Sequence, residues 1–277
     1  MPRRLETGQL ITSSAVALLT LLSACSNWSP APAAKPANIL DVAVAWKQTA
    51  AEYEALYYQA YNLAQHQVEH ALAQQLPGGQ TLAVILDLDD TLLDTRDYWA
   101  QLLEADQDFF DDPNWDAWIP LNRVRAAPGA LEFLNFCAGH GVEVFYVTSR
   151  DQGDPTYQYA LNHLIRLGFP YADTKHLTVL RESSNKQVRQ DEIASSHKVI
   201  LLMGDNLNDF SRIYYVDNVT DRKALMQQDK ALFGTRYILL PNPTDGHWIK
   251  AIFGDSEPSP SDENRRRWHD AAIGRGS

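Results

Sequence analysis

The chain has 277 residues, of which 45% are hydrophobic and 21% are charged, a composition typical of a folded protein with a full core. Its formal net charge of -11 argues against non-specific nucleic-acid binding, which requires a basic surface. A small phosphorylated ligand held by a few local charges is not excluded, and the length permits either two domains or one domain with insertions.

The N-terminal residues have the pattern of a secretory signal that ends in a lipidation site. Two arginines precede an apolar stretch, 10–22, that is too short to span a bilayer. The tetrapeptide LSAC at 22–25 fits the lipobox of bacterial lipoproteins, with a plain signal peptide as the alternative. We therefore predict a signal peptide over 1–24 and a lipid anchor on Cys25. Because Ser26 and not Asp follows the cysteine, we expect the protein in the outer membrane of the bacterial cell envelope.

A tether and a helical region are predicted next. Residues 25–38 are rich in Pro and Ala, which indicates a flexible tether. From Ile39 to about Gln75, apolar and aromatic residues recur at helical spacing without any Pro or Gly. We expect one or two N-terminal helices packed on the core.

Five short apolar runs separated by helical stretches predict the central sheet. Continuously apolar runs are expected of parallel strands that are buried on both faces. The predicted strands are 82–86, 142–147, 177–180, 199–203 and 237–240, and the predicted helices are 130–138, 156–167 and 221–228. This alternation indicates the α/β class, with an open parallel Rossmann-type sheet flanked by helices and right-handed crossovers.

Two segments depart from this alternation. Residues 94–125 are too long for a simple loop after the first strand and are rich in Trp, Phe and Asp. We interpret them as a small aromatic-rich cap inserted into the folded domain, which is expected to span 39–255. Residues 256–277 contain two prolines and an arginine triplet and are predicted to be a disordered tail.

Residues able to carry chemistry follow three of the predicted strands. In an open α/β sheet the ligand lies beyond the carboxyl ends of the strands, so these residues are expected in one site. The candidates are Asp87, Asp89 and Thr91 after the first strand, Thr148 and Ser149 after the second, Asp205, Asn206 and Asp209 after the fourth, and Lys186 before the fourth.

This set of residues suits the hydrolysis of a phosphate ester by covalent catalysis. One aspartate can attack phosphorus, a second carboxyl can protonate the leaving oxygen, and a divalent cation can bridge carboxylates and phosphoryl oxygen. Lys186 and Thr148 would bind the other phosphoryl oxygens, and Mg²⁺ fits a site of oxygen ligands. Each residue alone has a simpler explanation in a turn, a helix cap or a solvated side chain. Their joint occurrence in this order favours the enzyme.

The order of these residues resembles the four motifs of the haloacid dehalogenase (HAD) superfamily. More closely, the chain resembles the class C acid phosphatases, called DDDD phosphatases, which include bacterial lipoproteins. Residues 85–98 (ILDLDDTLLDTRDY) follow the first signature of that family, and 200–210 (ILLMGDNLNDF) follow the second. The likeness extends over about 45–243. Asp90 stands where the family usually has Glu, and Leu92 where Val or Met is usual.

The resemblance implies a role for each candidate residue. Asp87 would be the nucleophile, and Asp89 the general acid and then the base for the water that releases phosphate. Asp87, the main-chain carbonyl of Asp89 and Asp205 would bind Mg²⁺. Asp209 would be either an additional acidic ligand or a group just outside the ligands, and Asp90 would be structural or lie outside the ligands as well. The expected phosphate-binding residues are Thr148, Ser149 and Lys186.

Substrate selection is expected at the cap. Phe110, Trp115, Trp118 and, outside the cap, Tyr215 match positions where the family has aromatic residues at the substrate entrance. Stacking of a nucleobase on these rings would make the protein a 5'-nucleotidase-like enzyme. The alternative is that the rings form the cap's own small core.

The expected function is a lipid-anchored, Mg²⁺-dependent acid phosphatase that hydrolyses small phosphomonoesters, including 5'-nucleotides. A surface binding or adhesion lipoprotein on the same fold is the alternative from another class, although it would not need both Asp87 and Asp89. A phosphotransferase or mutase is a third interpretation. The histidines show no HxH or HExxH spacing, so no zinc site is predicted. The lipid anchor implies a membrane partner, and a homodimer is left open.

Overall fold

The computed structural model describes residues 38–275. The predicted signal peptide, the lipidation site Cys25 and nearly all of the predicted tether lie outside the described residues. Within the described range, no helix combines the length and the apolar character needed to cross a bilayer.

Strands of the described chain form one large and one small sheet. They are β1 (Leu82–Leu86), β2 (Leu93–Asp94), β3 (Arg125–Ala126), β4 (Glu143–Ser149), β5 (Leu177–Leu180), β6 (Lys198–Gly204) and β7 (Tyr237–Leu239). The large sheet is entirely parallel, with the order β5-β4-β1-β6-β7, and β2 pairs antiparallel with β3. The predicted open parallel sheet is confirmed, and β1 lies at its centre.

The central strand β1 shows why the predicted runs are continuously apolar. Every residue of β1 is buried. Leu82, Val84 and Leu86 belong to the core on one face of the sheet, and Ala83 and Ile85 belong to the core on the other. Because successive side chains of a strand point to opposite faces, a strand covered on both faces must be apolar at every position.

Helices cover both faces of the large sheet. They are α1 (Asp41–Thr49), α2 (Ala51–Ala73), α3 (Arg96–Glu104), α4 (Asp112–Trp118), α5 (Ala130–Gly139), α6 (Thr156–Arg166), α7 (Gln187–Ser196), α8 (Val219–Gln228), α9 (His247–Phe253) and α10 (Asp262–Ala272). The predicted N-terminal helical region is two helices, because Ala50 is extended at ψ 121°. Helix α7 was not predicted. Only Gln190 and Ile193 are buried in it, so its sequence lacks the apolar stripe that marks a helix.

The segment between β1 and α5 contains the aromatic-rich insertion. The β2-β3 pair closes its base, and α3 and α4 lie between the two strands. The Tyr98 ring lies 4.9 to 5.9 Å, centroid to centroid, from four other rings of the insertion. These are Trp99, Phe110, Trp115 and Trp118. The insertion therefore has a small aromatic core of its own.

The prediction of a disordered tail over 256–277 is wrong for most of that segment. Helix α10 begins after Ser261, whose hydroxyl caps it by accepting from the Asn264 backbone N–H at 3.1 Å. No residue of α10 is fully buried. The helix is held by an ion pair between Arg265 and Asp108 and by packing of Trp268 on α9. Because these contacts are few and distant in sequence, composition alone did not indicate the helix.

Candidate active site

The carboxyl ends of β1, β4 and β6 open into one cavity of about 570 Å³. Parallel strands end at the same edge of a sheet, so residues distant in sequence meet there. The predicted site residues that line the cavity are Asp87, Asp89, Phe110, Trp115, Thr148, Ser149, Lys186, Asp205, Asn206, Asp209 and Tyr215. Thr91 is buried and does not line it. Thr148 is buried and Ser149 is exposed. Trp118, the other predicted aromatic, is 1% exposed and belongs to the core.

Three of the carboxylates form a group that fits a divalent cation. One oxygen each of Asp87, Asp205 and Asp209 lie within 4.8 Å of one another. Carboxylate oxygens in a tight group are the donors that hard divalent cations prefer. The Asp89 side chain is not a member of this group.

Burial and neighbouring negative charge disfavour the ionised forms of two of these carboxylates. Burial raises the pKa of Asp87 to about 7; the Lys186 ammonium opposes this shift, and the Asp209 and Asp89 carboxylates add to it. Burial, followed by the charges of Asp209 and Asp87, raises the pKa of Asp205 well above its usual range. A bound cation would favour the ionised forms that a nucleophile and a metal ligand require.

Lys186 places one fixed positive charge in the group. Its ammonium donates to Asp87 Oδ1 and, at 2.7 Å, to Asp209 Oδ1. Although burial lowers the pKa of Lys186, the Asp209 and Asp87 carboxylates raise it above its ordinary value, so the side chain stays charged. Lys186 is the N-cap residue of α7, and the helix missed in the sequence therefore positions a predicted site residue.

The turn after β6 orients Asp209. The backbone N–H of Asn206 donates to Asp209 Oδ2 at 2.9 Å, and the Asn206 side chain caps the same turn. A Cβ atom at position 204 would collide with the Asp209 carboxylate. Gly204 is therefore required for this close approach.

Arg150 is a site residue that the sequence analysis missed. Its Nε donates to Asp89 Oδ2 at 2.6 Å, and its Nη2 donates to Asp89 Oδ1. The Arg150 side chain is 1% exposed. Its Nη1 also approaches His163 Nδ1 at 3.2 Å, and His163 Nε2 lies 3.2 Å from the Ile119 carbonyl oxygen beside the cap helix α4. The signal that could have found Arg150 is its place directly after the strand-end pair Thr148-Ser149.

The aromatic residues at the cavity have two kinds of contact. Phe110 and Trp115 line the cavity and also pack in the aromatic core of the insertion. The Tyr215 ring centroid lies 3.6 Å from the Arg212 guanidinium and 4.7 Å from the His247 ring. The rings of Phe110 and Trp115 thus form both a core and a wall, so the two interpretations of the sequence are compatible for them.

Comparisons with known proteins agree with this geometry. A family model described as HAD superfamily, subfamily IIIB (acid phosphatase), matches residues 3–248. The class C acid phosphatase from Bacillus anthracis is similar in structure, with a TM-score of 0.76 and 31% sequence identity over 83% of this chain and 94% of that chain. A structure of that enzyme with tungstate bound is similar at 32% identity and the same TM-score and coverage.

Proposed function

We propose that the chain, which belongs to subfamily IIIB of the HAD superfamily, the acid phosphatases, is lipid-anchored, uses Mg²⁺ and accepts 5'-nucleotides. Phosphomonoester hydrolysis is the activity of the family. The proposal concerns the cation, the substrates, the anchor and the roles of individual residues.

The site geometry supports a covalent mechanism on Asp87. A carboxylate oxygen of Asp87 attacks phosphorus, the bond from phosphorus to the leaving oxygen breaks, and Asp89 donates its proton to that oxygen. Water then attacks phosphorus, Asp89 takes the water proton, and the acyl phosphate breaks to release inorganic phosphate and Asp87. Lys186, which contacts Asp87, holds the nucleophile and offsets phosphoryl charge.

The group of Asp87, Asp205 and Asp209 is the observation that carries the proposal. One oxygen of each residue lies within 4.8 Å of the other two, and the group includes the proposed nucleophile, Asp87. A cation bound there would neutralise charge on the carboxylates and on a phosphoryl oxygen. We propose Mg²⁺ because the group offers only oxygen donors and is small enough for water to complete the coordination of the ion.

The cavity supports a nucleotide as substrate. A volume of about 570 Å³ lies within the range of small-molecule sites. The lining of the cavity includes Phe110 and Trp115, on which a base can stack. The relative from Bacillus anthracis holds tungstate, which is a tetrahedral oxyanion like phosphate. Phosphoryl recognition at the carboxylates and base stacking at the cap would then act on one ligand.

The anchor rests on the sequence around Cys25. The lipobox tetrapeptide follows an apolar stretch of signal-peptide length, and a proline-rich segment separates the cysteine from α1. A lipid on Cys25 would hold the enzyme on the envelope membrane, with the outer membrane as the proposed location. The tether would let the active site reach small substrates in the surrounding water.

An activity assay tests the proposed catalytic function. We expect protein lacking residues 1–25 to hydrolyse p-nitrophenyl phosphate and 5'-nucleotides in Mg²⁺, and to lose activity after chelation. Asp87→Asn should lower kcat by roughly 1,000-fold or more, because an amide is a poor nucleophile. Asp191→Asn, at an exposed position on α7, is the matched control. Full turnover by Asp87→Asn would contradict the covalent mechanism. Activity that survives chelation would contradict the proposed use of a metal ion.

Membrane fractionation tests the anchor. We expect the wild-type chain in the membrane fraction of a bacterial host and Cys25→Ser in the soluble fraction, since the serine cannot carry the thioether-linked lipid. Equal membrane association of the two proteins would contradict lipidation of Cys25.

A further inference from the structure

We propose that Asn242 is a positioning residue of the metal site, which orients Asp205 for the cation by tying it to the buried ion pair of Asp90 and Lys47. The inference rests on the proposed function, because it assumes that Asp205 binds a divalent cation. It concerns the loop that follows β7, to which the sequence analysis assigned no role.

The side-chain amide of Asn242 bridges two carboxylates. Its Nδ2 donates to Asp205 Oδ2 at 2.7 Å and to Asp90 Oδ2 at 3.1 Å. Both N–H bonds of the amide are therefore used. The orientation of the amide is unambiguous, because backbone N–H groups of its own loop, which can only donate, point at the other end of the amide, Oδ1.

The other end of the same amide is held by its own loop. Asn242 Oδ1 accepts from the Thr244 backbone N–H at 3.1 Å, from the Thr244 hydroxyl at 2.8 Å and from the Asp245 backbone N–H at 3.2 Å. The side chain thus cannot rotate without breaking several hydrogen bonds. This leaves the Nδ2 group at a fixed place between the carboxylates.

Asp90 makes the bridge rigid because it is itself anchored from several sides. Its Oδ1 accepts from Lys47 Nζ at 2.9 Å and from the Thr95 hydroxyl at 2.8 Å. Its main-chain carbonyl accepts from the Tyr57 hydroxyl at 2.5 Å. The Lys47 side chain is 0% exposed, so this charge pair is shielded from water and salt. Asp90 has a left-handed φ of 50°, a conformation that a non-glycine residue keeps only where its surroundings enforce it.

The three carboxylates of the proposed metal group are held in two different ways. Lys186 contacts Asp87 and Asp209, whereas Asn242 is the only hydrogen-bond donor to the Asp205 side chain among residues 38–275. A neutral amide can fix a carboxylate without adding a positive charge that would repel a cation. The other oxygen of the Asp205 carboxylate accepts no hydrogen bond from residues 38–275 and would be available to the cation. Hydrogen bonds of this kind from outside the ligand set commonly tune metal affinity.

A direct binding measurement tests the proposal without relying on turnover. Isothermal titration calorimetry with MgCl₂, and with MnCl₂ as a second probe, is carried out on the full chain in detergent with no substrate present. We expect Asn242→Ala to weaken binding by roughly 10- to 100-fold. Asn162→Ala, on the exposed face of α6, should bind as the wild type does.

A second variant separates positioning from a purely structural role. Thr244→Val removes a hydrogen bond from the same loop and one from Lys47 but leaves the amide bonds of Asn242 to both carboxylates. We expect Thr244→Val to lower Tm with little change in metal affinity. If Asn242→Ala does not fold, Asn242→Ser replaces it, because serine is polar but too short to span both carboxylates.

Each outcome decides the matter. Metal affinity of Asn242→Ala, or of Asn242→Ser in its place, within twofold of the wild type would overturn the inference and leave the proposed metal site intact. Binding of neither cation by the wild-type chain would overturn the metal site and the inference together. An equal loss of affinity in Thr244→Val would show that loop stability, and not the bridge to Asp205, sets the affinity.

Discussion

At the residue scale, the carboxylates that follow β1 are each paired with a different basic side chain. Three acidic side chains within four positions repel one another, and the repulsion is offset by basic residues from three distant segments. The pairs are Asp87 with Lys186, Asp89 with Arg150, and Asp90 with Lys47. Neighbours in the sequence thus have separate partners and face separate tasks. Asp87 lies in the proposed metal group, and Asp89 is linked to the cap through Arg150. Asp90 supports the loop that follows β7.

The first prediction concerns Arg150, which we expect to position Asp89 for proton transfer. Arg150→Ala should lower kcat on a 5'-nucleotide by roughly 100-fold, because the alkoxide that leaves a nucleotide requires protonation. The loss on p-nitrophenyl phosphate should be much smaller, since nitrophenolate leaves without a proton. Steady-state kinetics on both substrates check this expectation.

Two further variants sharpen the test of Arg150. Arg150→Lys should recover little activity, since an ammonium cannot hold both carboxylate oxygens as the guanidinium does. Arg189→Ala removes an arginine that pairs with Glu192 on α7, and it should behave as the wild type on both substrates. Equal losses on the two substrates for Arg150→Ala would argue against a role in leaving-group protonation.

At the scale of elements, α10 is the last described helix, and it contacts the cap. The guanidinium of Arg265 pairs with Asp108, which lies between α3 and α4. Trp268 packs on Trp248 and Phe253 of α9 at 5.2 and 5.0 Å between ring centroids. The segment that leads into α10 also reaches the cavity through Ser256 and Glu257. The family match ends at residue 248, so α10 lies beyond it.

We predict that the ion pair of Arg265 and Asp108 keeps α10 docked on the cap. Arg265→Asp should increase hydrogen exchange of the amides of α10 and of the 105–111 loop, because two carboxylates would then face each other. Mass spectrometry of exchanged peptides measures this. The double variant Arg265→Asp with Asp108→Arg should restore protection by reversing the pair. Failure of the double variant to restore it would show that packing of Trp268, and not the ion pair, holds the helix.

At the scale of the whole molecule, buried histidines link stability to pH. Burial, then the Arg150 charge, lowers the pKa of His163 to about 4, and burial with the charges of Arg222 and Lys186 lowers the pKa of His247 to about 3. In the unfolded chain a histidine has a pKa near 6.5. Between about pH 6.5 and 4, the unfolded chain therefore binds a proton at His163 that the folded protein does not, and stability falls as the pH is lowered.

We predict that His163→Gln reduces this loss of stability. The interval between a pKa of 6.5 and one of about 4 corresponds to roughly 3 kcal/mol in the free energy of unfolding. Glutamine can accept from Arg150 and donate to the Ile119 carbonyl, as the neutral imidazole does. Urea unfolding at pH 7 and pH 4.5 should show a smaller difference for the variant than for the wild type.

Comparing the variant with the wild type also cancels the contributions of other titrating groups to the pH dependence of stability. The raised pKa values of Asp87 and Asp205 act in the opposite direction, since their penalty at neutral pH disappears once they bind protons. His269→Gln, at an exposed position on α10, is the control. An identical pH dependence for His163→Gln and the wild type would contradict the role assigned to His163.

The central sheet and the membership of the site could be predicted from local sequence patterns. The five strands of the large sheet fall within two residues of their predicted limits, because a strand covered on both faces must be apolar at every position. The convergence of Asp87, Lys186 and Asp205 on one cavity follows from the common direction of parallel strands. A short motif after each strand was therefore enough to predict where these residues meet.

The tertiary structure was needed wherever the deciding contact is long-range and polar. Helices α7 and α10 have almost no buried face, so no apolar stripe marked them in the sequence. The bridge from Asn242 to Asp90 joins residues 152 apart in the chain, and the pair of Arg265 and Asp108 joins residues 157 apart. Apolar burial leaves a repeating pattern in the sequence, whereas a single hydrogen bond or ion pair leaves none. The sequence thus determined the sheet and the acidic motifs, and only the fold decided which basic side chain or amide holds each carboxylate.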